Sequence, residues 1–122
     1  MAKDTILYFE DEPGICEEAE FELNDEFPNL RTITCFGGVG CVENVLKQAG
    51  GIERIAIVST DGNLKELVQG WEVVEELRAK GYTGPAVYTG ASNLPKDKEH
   101  LYAAQTFTKH GDDFLDAIRE HI

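Results

Sequence analysis

The sequence has little of what staples a small secreted or metal-bound protein. Its only cysteines are Cys16, Cys35 and Cys41. That odd number lacks CxxC spacing, and His100, His110 and His121 lie far away in sequence, so neither a disulfide framework nor a zinc pattern is expected. The cysteines read as reduced, small, semi-apolar fillers. Long apolar runs are absent too. Ile55 to Val58 is typical and far too short to span a bilayer, and no basic segment leads into a long apolar one as in a secretory signal. A cytoplasmic address and no membrane partner follow as expectations.

Positive charge is scarce. Eleven Lys and Arg face 23 Asp and Glu, a formal net charge of -12. A duplex phosphate backbone would be repelled by such a surface, so no direct nucleic-acid partner is expected. The acidity is dense early in the chain, at Glu10, Asp11 and Glu12 and again at Glu17, Glu18, Glu20, Glu22, Asp25 and Glu26. The second group reads as a solvated helix face. The first precedes the helix and calls for a separate reading.

What is present is an alternation of apolar strands and amphipathic helices over 122 residues, enough for one domain, 1–122, with a self-sufficient core. Thr5 to Phe9 reads as a buried strand. Pro13 suits a first helical turn, Ile15, Ala19, Leu23 and Phe27 form an apolar stripe, and Pro28 closes the helix. Leu30 to Phe36 reads as a strand, Gly37 to Gly40 as a turn, and Val42, Val45, Leu46 and Ala49 as the inner face of a helix ended by Gly50-Gly51. Arg54 to Ser59 predicts a third strand. A polar loop, Thr60 to Gln69, leads to a helix carrying Trp71, Val74 and Leu77. Pro85 to Thr89 is a fourth strand, and Leu101 and Ala104 mark a weak helix. Thr106 to Thr108 is a fifth strand, and Phe114, Leu115, Ile118 and Ile122 mark a last helix. Five strands alternating with five helices predict a doubly wound α/β fold, a parallel sheet covered on both faces.

In such sheets ligands gather beyond the carboxyl ends of the strands. Glu10 and Asp11 leave the first strand, Asp61 the third, Thr89 the fourth and Lys109 the fifth. Carboxylate oxygens suit a hard cation such as Mg²⁺. One carboxylate can act as a nucleophile toward phosphorus where positive charge stabilises the transferring group. The bland alternatives are helix-capping acids at 10 and 11 and a surface lysine at 109. Their convergence favours chemistry. Gly37 to Gly40 lacks both Gly-x-Gly-x-x-Gly spacing and the Lys-Ser/Thr of a P-loop, and reads as a turn.

These residues resemble the receiver domain of two-component response regulators, a flavodoxin-like fold, over essentially the whole chain. Ile6 to Pro13 is similar to that family's opening strand and acidic pair. Asp61 to Leu64 with Gly70 to Val73 is similar to its phosphoacceptor loop and following helix, Pro85 to Ala91 to the strand ending in a hydroxyl, and Lys109 to its lysine. The resemblance implies that Asp61 takes a phosphoryl group from a phosphohistidine of a sensor histidine kinase or histidine phosphotransfer protein. Mg²⁺ would be held by Glu10, Asp11, Asp61 and the backbone carbonyl of Asn63, and Thr89 and Lys109 would bond phosphoryl oxygens. Gly90 would leave room for the phosphoryl group, and Ala91 and Asn63 would tune its hydrolysis. The chain would not be an enzyme beyond catalysing its own phosphorylation and dephosphorylation, and would signal to a protein target through the face Lys96 to Ile122.

Four features depart from the family pattern. The apolar part of the third strand stops early, so an alternative alignment puts Ser59 at the acceptor position. Asp61 is preferred because Asn63 and Leu64 then fall in register. The loop from Asp61 to Gly70 is one residue longer than usual. His110 follows Lys109 where the family has proline, and without proline a cis bond costs roughly 2.5–4 kcal/mol, so a trans bond is expected. Thr106 holds the family's aromatic position, with Phe107 facing away and Tyr88 or Tyr102 as possible substitutes. A pseudo-receiver that binds partners without phosphotransfer is therefore the alternative reading. A small Mg²⁺-dependent phosphohydrolase is a third, weakened because Asn63 stands where its second acid belongs.

Overall fold

The structure is a computed structural model and describes residues 3–37, 40–62, 64, 68–90 and 94–122. Strand β1 (Thr5–Phe9) leads to helix α1 (Pro13–Glu26), β2 (Arg31–Cys35), α2 (Cys41–Ala49), and, after a short 3-10 turn, β3 (Ile55–Asp61). Helix α3 (Gly70–Ala79), β4 (Ala86–Thr89), a 3-10 segment (Lys96–Leu101), β5 (Ala104–Thr106) and α4 (Asp112–His121) follow. All five strands pair in parallel in the order β2-β1-β3-β4-β5. The expected doubly wound, flavodoxin-like sheet is thus present, and strand order reverses between β1 and β3.

Each sheet face has its own core. Leu7, Phe9 and Val58 pack on Val42 and Val45 of α2 and Val74 and Leu77 of α3. Ile6, Tyr8 and Ile57 pack on Ala19 and Leu23 of α1 and Phe114 and Ile118 of α4. Burial on both sides explains why β1 is apolar at every position but its first instead of alternating.

Several boundaries differ from the sequence reading. Strand β3 runs to Asp61, not Ser59, because it carries one extra residue near its start: Thr5 pairs with Ile55, but Ile6 pairs with Ile57. The slip at Ala56 puts Ile55 and Val58, three residues apart, on the same face. In α1 the buried stripe is Cys16, Ala19 and Leu23, with Ile15 only half-buried. The fourth helical connection is 3-10, not α, and only Leu101 in it is buried. Ala104, expected in that helix, begins β5, which ends at Thr106, while Phe107 is exposed. Among the described residues no helix is long and apolar enough to cross a membrane.

Candidate functional site

The reversal of strand order opens a crevice between the ends of β1 and β3, and the acidic residues lie there. Phe9 pairs with Thr60, so the next residues, Glu10 and Asp61, leave neighbouring strands side by side. One carboxylate oxygen each from Glu10, Asp11 and Asp61 lies within 4.8 Å of the others. Lys109, just beyond β5, reaches back across the crevice. Its Nζ stands 3.1 Å from Asp61 Oδ2 and 3.3 Å from both Glu10 oxygens. Thr89, the last residue of β4, pairs with Asp61 and donates its hydroxyl to the Thr60 carbonyl at 3.3 Å. Asn63 and Ala91, also named in the sequence reading, lie outside the described residues.

Asp61 is largely buried but not sealed. Its Oδ1 accepts the Gly62 N–H at 2.7 Å, which fixes the carboxylate plane. Gly90, at φ +138°, lies opposite, and a Cβ there would come within 3.0 Å of Oδ1. Glycine thus supplies the backbone angle and leaves the carboxylate an open approach. Ser59 sits two residues inside β3, paired with Tyr8 and Val87 and fully buried. It lies short of the strand end where the acidic side chains meet.

The electrostatics are unbalanced. Burial pushes the Glu10 carboxyl up to about 7, the Asp61 charge adds to this, and Lys109 opposes it. Burial also works against the Lys109 ammonium, but its hydrogen bond to Asp61 and the charges of Glu10 and Asp61 outweigh that and raise its pKa. Glu10 Oε2 is buried and makes no hydrogen bond, although the ammonium is near. Three carboxylates against one ammonium, with one orphaned acceptor oxygen, fit a hard divalent cation.

Other residues support the site without having shown themselves in the sequence. The Tyr8 hydroxyl donates to the Lys109 carbonyl at 2.5 Å, its ring edge-on to Phe114. Glu22, read as part of a solvated face, grips the next two residues. Its Oε1 accepts the Gly111 N–H at 2.6 Å, and its Oε2 faces His110 Nδ1 at 3.2 Å. The Lys109–His110 bond is trans, as expected. Behind Asp61, Thr60 and Tyr102 share a hydroxyl hydrogen bond of 2.5 Å, and Tyr102 meets Tyr88 edge-on. Of the two tyrosines proposed for the aromatic position, Tyr102 reaches β3 through its hydroxyl, and Tyr88 lies beside Thr60 in the sheet.

No protein-family model and no curated protein matches the chain. Solved structures do resemble it, response-regulator receiver domains among them. The BeF3-activated N-terminal receiver domain of Klebsiella pneumoniae RstA aligns at TM-score 0.69 and 17% identity over 97% of each chain. The N-terminal domain of a response regulator/sensory box/GGDEF protein from Carboxydothermus hydrogenoformans aligns at 0.72 and 20%, over 96% of this chain and 91% of that one. A CheY-like receiver domain from Methanospirillum hungatei aligns at 0.68 and 16%, again over 96% and 91%. The fold is therefore that of the receiver domains.

Proposed function

We propose that the chain is a phosphoacceptor receiver of a two-component system or phosphorelay, with Asp61 as the acceptor. The observation carrying this reading is the meeting of Asp61, Glu10, Asp11 and Lys109 at the reversal of strand order, with Gly90 leaving Asp61 Oδ1 open. Asp61 would attack the phosphorus of a partner's phosphohistidine, forming an aspartyl phosphate as the bond to imidazole nitrogen breaks. Lys109, already on Oδ2, would pair with a phosphoryl oxygen, and Thr89 would leave the Thr60 carbonyl to donate to another. Mg²⁺ held by Glu10, Asp11 and Asp61 would supply further charge neutralisation. The RstA and DrrB receiver structures similar to this chain are BeF3-activated forms, and BeF3⁻ is phosphomimetic in the similar RcsB structure. Such chemistry supports the reading by likeness.

On this reading the protein works in the cytoplasm and turns over no other substrate. It meets a histidine kinase or phosphotransfer protein at the crevice and a target protein through Lys96 to Ile122. That face presents an exposed Phe107 beside a groove lined by Gln105, Asp113 and Asp116. The test is incubation with Mg²⁺ and acetyl phosphate, read by intact mass. One phosphoryl adduct that is lost in Asp61→Asn is the expected result. No adduct with any donor would leave the pseudo-receiver standing, and turnover of unrelated phosphomonoesters would favour the hydrolase.

A further inference from the structure

Lys109 brings its charge to the crevice from a stretch of chain with no apolar hold. Strand β5 ends at Thr106, α4 begins at Asp112, and no residue between Thr106 and Phe114 is buried. Yet the ammonium stands between two carboxylates, 3.1 Å from Asp61 and 3.3 Å from Glu10. The segment is held by polar ties instead. Thr106 Oγ1 donates to the Thr108 carbonyl at 2.7 Å as the chain leaves the strand. Beyond that point the ties come from other elements. The Tyr8 hydroxyl of β1 donates to the Lys109 carbonyl, and Glu22 of α1 meets the two residues that follow.

We propose that Glu22 is a positioning residue for Lys109: its carboxylate, carried by α1, clamps His110 and Gly111 so that the ammonium stays on Asp61. The effect on rate rests on the reading of Asp61 as phosphoacceptor, while the effect on geometry rests on hydrogen bonds alone. Both Glu22 oxygens are used. Oε1 accepts the Gly111 N–H at 2.6 Å, a charge-assisted bond to the backbone, and Oε2 lies 3.2 Å from His110 Nδ1. Gly111 is also the residue before α4, and its carbonyl accepts the Leu115 N–H at 2.9 Å. Glu22 therefore joins the start of α4 to α1. Lys109 is left between two fixed points, Tyr8 at its own carbonyl and Glu22 at the next two residues. Tyr8 is itself locked in the core against Phe114. Lysine is a point charge on a flexible stem, so the backbone that carries it decides where the charge lies. A reacting group displaced by about 1 Å can cost about a hundredfold in rate.

Glu26 supplies the control. It lies one turn further along α1 and pairs with Arg119 of α4. Glu26→Ala thus removes an equal charge and another tie between the same two helices without touching the Lys109 segment.

Two readouts are compared across the full-length chain and its variants. The first is the NMR signal of the Lys109 ε-methylene in chelator, assigned from Lys109→Arg. It should stand apart from exposed lysines such as Lys47 in the unsubstituted chain, Glu22→Gln and Glu26→Ala, and move toward them in Glu22→Ala. The second is the rate of phosphoryl uptake from acetyl phosphate with Mg²⁺. Glu22→Ala should be slower by about tenfold or more, with Glu22→Gln and Glu26→Ala within about twofold of the unsubstituted chain. Rescue by glutamine is expected because its amide oxygen can still accept the Gly111 N–H. An unmoved Lys109 signal in Glu22→Ala, a glutamine variant as slow as the alanine one, or equal slowing by Glu26→Ala would overturn the proposal. Absence of any adduct on the unsubstituted chain would count against the acceptor reading, and the Lys109 signal would still decide what Glu22 holds.

Discussion

Glu10 is the residue on which the acidic crevice turns, because it is fully buried and its Oε2 makes no hydrogen bond. Its folded pKa, about 7, lies above the ordinary 4.5. The folded state therefore holds a proton that the unfolded state gives up, and the stability from this group, full below pH 4.5, is lost as pH rises toward 7. In chelator, thermal melts should show the unsubstituted chain losing stability relative to Glu10→Gln between those pH values. A constant difference across the window would refute the assignment. At this scale legibility was uneven. Glu10, Asp61, Thr89 and Lys109 could be read because each stands at a strand end, and strand ends converge in this fold. The grip of Glu22 on Gly111 and of Tyr8 on Lys109 spans 89 and 101 residues, and nothing local in sequence announces such contacts.

Among the elements, α3 is set most tightly against the site. Gly70, its first residue, donates its N–H to the Gly62 carbonyl at 3.0 Å, and a Cβ there would lie 1.8 Å from the Asp61 carbonyl oxygen. Gln69 and Glu72 form a capping box that pins the start of the helix. Gly70→Ala must push the helix away from the end of β3 at Asp61. We expect a loss of roughly 1–3 kcal/mol or more in urea unfolding, together with slower phosphoryl uptake by Asp61. Unfolding curves that overlay would show that the approach is looser than described. Sequence periodicity located α1, α2, α3 and α4 because each carries an apolar stripe. It failed between β4 and β5, where Lys96 to His100 offers no apolar residue and Leu101 alone reaches the core. A single anchor fits a 3-10 segment as well as an α-helix.

For the molecule as a whole, the two cores fix the sheet and the acidic cluster sits at its edge. Phe114, fully buried against Tyr8, ties α4 to the sheet, and Phe114→Ala should cost about 3–5 kcal/mol in denaturant unfolding. A cation that binds only the folded crevice should stabilise the whole chain by mass action. At free Mg²⁺ a hundred times its dissociation constant the gain is about 2.7 kcal/mol. Urea midpoints with Mg²⁺, against monovalent salt of equal ionic strength, should reveal it in the unsubstituted chain and much less in Asp61→Asn. Equal midpoints would argue against a metal site.

The slip at Ala56 has a consequence for the chain as a reading frame. Removing one residue from a central strand ordinarily exchanges its two faces and destroys the fold. Here Ile55 already pairs with Thr5 and Ile57 with Ile6, so Ala56 is the one residue the pairing does not count. Its deletion should be tolerated, with Ile57, Val58 and Asp61 keeping their faces. The same supernumerary residue throws any gap-free comparison of β1 and β3 out of step by one, so its place in the strand must be known before Asp61 can be found by counting.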